Sequence, residues 1–77
     1  MMEYVIVIHR AEEGGYWADV PALEGCFMQG ETLEEVLADA PSAIASHIAA
    51  LQENHQPVPI EAGVLLATVA LPLAAIA

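Results

Sequence analysis

A chain of 77 residues in which eleven acids face a single base, Arg10, carries a formal net charge of −10. That balance argues against free-standing contact with nucleic acid, which needs clustered Lys and Arg, and against anionic membrane surfaces. At 57% hydrophobic residues the chain is too apolar for a solvated coil, and one cysteine makes no internal disulfide framework.

The length suits one small domain, residues 1–77, and a domain this small hides only about 60% of its extended-chain surface, so a partner subunit would add stability. The opening Met1-Met2-Glu3-Tyr4 lacks the basic region of a signal peptide, and a cytoplasmic location is expected. Tyr4-Val5-Ile6-Val7-Ile8 is a β-branched run that predicts a strand over residues 4–9. Both of its faces are mostly apolar, which predicts a sheet covered on both sides. Ala11-Glu12-Glu13-Gly14-Gly15 reads as a turn, and Tyr16-Trp17-Ala18-Asp19-Val20 as the returning strand of a hairpin, over 16–20. Pro21-Ala22-Leu23-Glu24-Gly25 makes a tight corner into a third strand over 26–29.

Thr32-Leu33-Glu34-Glu35 has the spacing of a capping box, with acids that also suit the helix dipole. Leu33, Val36, Leu37, Ala40, Ile44, His47, Ile48 and Leu51 then recur at three- and four-residue spacing, which predicts a helix over 33–53. Pro41 lacks an N–H for the Leu37 carbonyl, so a kink or local break is expected there. A linker with Pro57 and Pro59 leads to a final strand over 64–71. The uncharged stretch 62–77 is just short of the ~17–25 residues of a spanning helix, is interrupted by Pro72 and has no basic flank. A buried strand with a packed tail is favoured over a membrane anchor. The order β-β-β-α-β, with a right-handed crossover, predicts an α+β fold. Its four-stranded sheet has order 3-2-1-4, and one helix lies on one face. The uncovered face calls for the tail, residues 73–77, or preferably a second copy, and Val64, Leu66, Val69 and Leu71 are the expected interface of a homo-oligomer.

The stretch from Val20-Pro21-Ala22-Leu23-Glu24-Gly25-Cys26 through Gly30-Glu31-Thr32-Leu33-Glu34-Glu35-Val36 resembles the signature of the HicB-type antitoxin family. Gly14-Gly15-Tyr16-Trp17-Ala18 is similar to the family's hairpin, and Gln56-Pro57-Val58-Pro59 to its linker. The resemblance covers about residues 4–69. It implies a truncated ribonuclease-H-like fold and a non-enzymatic role without cofactor: occluding the active site of a small basic HicA-type toxin that cleaves RNA. Ala22 and Glu31 stand where the family usually has aspartate, and Pro41 where it usually has a charged helix residue. There is no room after Leu71 for the DNA-binding module that many members carry, so direct contact with nucleic acid is not expected.

The acids expected to meet the toxin are Glu12, Glu13, Glu24, Glu31, Glu34 and Glu35, from the turn, the corner and the helix start. A plainer role for them is to cap the helix and keep an apolar protein in solution. A two-metal nuclease built on Glu3, Asp19 and Glu24 lacks a mid-strand carboxylate on the first strand. Pairing of Cys26 with His9, His47 or His55, as a catalytic dyad or a zinc site, has no supporting spacing, and a buried structural cysteine is the simpler reading. The alternative function is a self-associating structural domain with no toxin partner.

Overall fold

The computed structural model describes residues 3–61 and 65–76. Three antiparallel strands, β1 (Val7–Arg10), β2 (Tyr16–Asp19) and β3 (Phe27–Gly30), form one sheet in the order β1-β2-β3. One helix, α1 (Leu33–Glu53), packs on it, and a single 3-10 turn, Leu73–Ile76, lies near the end of the chain. Ile8, Ala18 and Met28 stand in register across the sheet, and so do His9, Trp17 and Gln29. Because side chains alternate along a strand, the first row faces α1 and the second faces away.

The β1 ladder is shorter than the apolar run that contains it. Val7 pairs with Asp19, the last residue of β2; beyond it Val20 and Pro21 turn away, so Tyr4, Val5 and Ile6 have no strand opposite them. The corner is closed by three backbone bonds: Val20 N–H to Cys26 O at 3.3 Å, Leu23 N–H to Val20 O at 2.9 Å and Cys26 N–H to Leu23 O at 3.0 Å. Those bonds turn Leu23 and Cys26 inward, where they join Ala18, Val20, Met28, Val36 and Ala40 in the core.

The four-stranded sheet of order 3-2-1-4 does not form. The sheet is three-stranded, and residues 65–72 carry no strand; Val64 lies outside the described residues. A run of strand formers becomes a strand only where a backbone edge accepts it. At the start of β1 the chain returning from the helix is held by side chains instead. The Tyr4 hydroxyl donates to Pro59 O at 2.7 Å, and Val5 N–H donates to the Glu61 carboxylate at 3.0 Å. Beyond that anchor the tail is exposed, Leu65 at 92% and Val69 at 82%.

The helix begins where the capping pattern puts it. Glu35 N–H donates to Thr32 Oγ1 at 3.1 Å, and Glu31 N–H donates to the Glu35 carboxylate at 2.7 Å. The reciprocal bond thus reaches one residue further back than in the usual box. At the other end His55 takes the left-handed conformation, φ +54°, with Gln56 N–H bonded to Leu51 O and His55 N–H to Gln52 O. That is a Schellman motif with histidine in the position glycine usually holds. The expected break at Pro41 is absent: α1 is continuous through it. Pro41 and Leu37 are both exposed, so water can satisfy the carbonyl that the proline leaves unbonded. The buried stripe is also narrower than the apolar periodicity. Val36 and Ala40 are buried, with Ala43, Ile44, Ile48 and Leu51 packed beside them, while Leu33 and Leu37 are exposed. Three strands of four residues cannot cover a wider strip.

Replacing Thr32 with alanine removes the acceptor for Glu35 N–H, which is expected to cost about 0.5–2 kcal/mol. Chemical denaturation followed by helix circular dichroism checks this, and an unchanged midpoint would show that the Glu35 carboxylate holds the turn alone.

Candidate functional site

The hairpin turn and the start of α1 lie at the same end of the sheet, because Tyr16 pairs with Gly30. The turn is tied by Ala11 N–H to Gly15 O at 3.1 Å and Gly14 N–H to Ala11 O at 3.2 Å, which leaves Glu12 and Glu13 exposed at its tip. Across from it, the step from β3 into α1 presents Glu31 and Glu35. An open groove of about 950 Å³ runs between the two, lined by Arg10, Glu12, Glu13, Glu31 and Glu35 together with His9, Tyr16, Trp17 and Gln29. Close approach at Gly30 shapes it. A side-chain carbon there would stand 2.9 Å from Glu35 Cβ and 3.1 Å from Val36 N, so only glycine lets the helix start sit against β3.

The groove thus gathers Glu12, Glu13, Glu31 and Glu35. It does not gather the other two acids of the expected surface. Glu24 lies in the corner between β2 and β3, at the opposite end of strands about 13 Å long. Glu34 is exposed on the first turn of α1 but does not line the groove. Four carboxylates face one guanidinium, Arg10, so the groove attracts cationic side chains. Glu35 already caps the backbone through its carboxylate, whereas Glu12, Glu13 and Glu31 make no side-chain hydrogen bond or salt bridge among the described residues. These three acids are open to a partner.

One wall continues onto the sheet face turned away from α1. The His9 ring stacks on Trp17, with centroids 4.0 Å apart and planes 18° apart, and Trp17 meets Phe27 at 6.3 Å. His9 Nε2 also lies 2.9 Å from Asp19 Oδ1. Trp17 thus packs across the hairpin on its register partner. The part of His9, on the same outward row as Trp17 and Gln29, follows from the two-residue alternation once the register is known, and the register was not in the sequence. Among the expected interface residues, Leu66, Val69 and Leu71 are exposed, and Val64 lies outside the described residues.

Cys26 is buried, with its Sγ 3.9 Å from the Ala43 carbonyl oxygen. Burial pushes its thiol pKa up, the reverse of what a nucleophile or a metal ligand requires. Among the described residues no three His, Cys, Asp or Glu side chains are grouped to hold a metal ion. Asp19 is engaged by His9, and Glu3 and Glu24 are exposed. Among the described residues no helix is long and apolar enough to cross a membrane.

The family model described as the HicB-like antitoxin of bacterial toxin–antitoxin systems matches residues 4–72. Two relatives, both named UPF0150 proteins, come from Thermoplasma acidophilum and Synechocystis sp. The first is 40% identical over 75% of this chain and 84% of its own length. The second is 41% identical over 75% of this chain and 73% of its own length. An uncharacterized 14.9 kDa protein of Haemophilus phage HP1 is 38% identical over 75% of this chain but only 43% of its own length. With a match of that extent, through the hairpin, the corner and the capped helix, this chain belongs to the HicB-like antitoxin family of bacterial toxin–antitoxin systems.

Proposed function

We propose that the protein neutralises a basic, RNA-cleaving HicA-type toxin in the cytoplasm by seating its acidic groove on the toxin's active-site surface. The observation that carries this reading is the convergence of Glu12, Glu13, Glu31 and Glu35 from two separate elements on one open groove. A toxin that binds RNA must itself present cationic groups to phosphates. Carboxylates held along a groove offer those groups the same charge while providing no bond to cleave. The role needs no catalysis and no cofactor from this chain. The charges act chiefly on association, through a field that salt screens over about 10 Å at 0.1 M.

The test is the triple substitution Glu12→Lys, Glu13→Lys and Glu31→Lys, which spares the Thr32–Glu35 cap. Association with a purified HicA-type toxin is expected to slow by about ten- to a thousandfold at low salt. Protection of RNA in a cleavage assay should fall with it. An equal-charge control, Glu3→Lys with Glu24→Lys and Glu53→Lys, changes the net charge by the same amount away from the groove and should slow association far less. Equal losses from both variants, or no loss from the first, would overturn the groove reading.

A further inference from the structure

We propose that the protein self-associates by laying the tail of one copy, residues 65–71, across the outward sheet face of a second copy, over its Val7, Trp17 and Phe27. The proposal starts from surface that one chain cannot hide. A compact monomer of 8.1 kDa exposes about 4,500 Å², whereas this chain exposes 6173 Å². The excess, roughly 1,700 Å² per chain, is more than the ~800 Å² that each partner of a standard-size interface buries. Its radius of gyration, 15.5 Å, likewise exceeds the ~11.5 Å expected of a compact chain this long. Large apolar side chains contribute to it: Leu65, Leu66, Val69 and Leu71 are all exposed, and Phe27 is exposed at 62% on the outward sheet face.

Charge selects the occupant. Two chains of net charge −10 repel wherever their acids meet. The tail from residue 62 onward has no ionisable side chain at all. On the outward face the one acid of the strands, Asp19, is already bonded to His9. The uncharged tail can therefore lie on this face without setting acid against acid. Reach is sufficient. Seven extended residues span about 23 Å, while three strands are about 14 Å across. The side-chain anchors at Tyr4–Pro59 and Val5–Glu61 fix where the tail leaves its own domain, and a two-fold pairing lets each copy cover the other.

Sedimentation of the full chain at about 10 μM is expected to give at least twice the 8.1 kDa chain mass. Dilution should then shift Trp17 emission to longer wavelength as the face becomes wet. Val69→Asp in the tail and Phe27→Glu on the face should each raise the dissociation constant at least tenfold. Both positions are exposed and outside the core, so the helix signal should persist. A monomeric wild type overturns the proposal. So does dissociation by Val69→Asp but not by Phe27→Glu, or an oligomer whose dissociation leaves Trp17 emission unchanged; either would mean that the tails meet something other than this face.

Discussion

Replacing Leu23 with alanine is expected to remove about 2–5 kcal/mol of stability, out of a total of roughly 4–12 for a chain this long. Leu23 is 1% exposed and is among the largest fully buried side chains, with Val20 and Val36. It reaches the core from a corner, not from a strand or the helix. Its own backbone bonds, to Val20 and from Cys26, hold that corner rigid, so the surroundings have little freedom to close over a cavity. Urea denaturation at fixed protein concentration measures the loss, since any self-association also contributes to apparent stability. A loss below about 1 kcal/mol would show that the corner relaxes into the space.

Gly15→Ala is expected to be the costliest change in the hairpin turn, at about 2–5 kcal/mol. Two penalties combine there. Gly15 has φ +77°, where an L side chain costs roughly 1–2 kcal/mol. An added Cβ would also stand 2.9 Å from the backbone oxygen of Gly30, an overpacking worth typically 1–3 kcal/mol. Gly14 separates the two effects: its φ is +99°, yet nothing lies within 4 Å of its Cβ position. Gly14→Ala should therefore cost only the conformational share. Equal destabilisation by the two substitutions would show that contact with Gly30 yields freely. Because Gly15 packs against the Gly30 carbonyl at the end of β3, its substitution should also widen the acidic groove and weaken the proposed toxin binding beyond the loss of folded protein.

Much of this architecture could be read from local chemistry. Gly14-Gly15 between two strand runs specified a hairpin, Pro21 ended its second strand, and Thr32 with Glu35 placed the first turn of α1. Each of these signals acts within a few residues, through conformational freedom, a missing donor or a cap, so the chain order alone carries it. The apolar helix stripe was legible in its period but not in its width, because how much of it is buried depends on how many strands stand beneath it.

The tertiary structure decided the rest. Residues 65–71 have strand-forming side chains, yet pairing needs an edge at the right place. Just ahead of β1 the returning chain is held by two side-chain bonds, Tyr4 to Pro59 and Val5 to Glu61, and residues 65–71 do not pair with the strand, so local propensity there had no partner. The acids posed the same problem in another form. All six lie in turns or at the helix start, and composition gives them equal standing. Only the antiparallel register, which sets Tyr16 against Gly30, brings Glu12 and Glu13 to the same end as Glu31 and Glu35 and leaves Glu24 at the other. Local elements depend on neighbours in the chain, whereas a site depends on distances between residues far apart in it, and those are fixed only when the sheet closes and the helix packs.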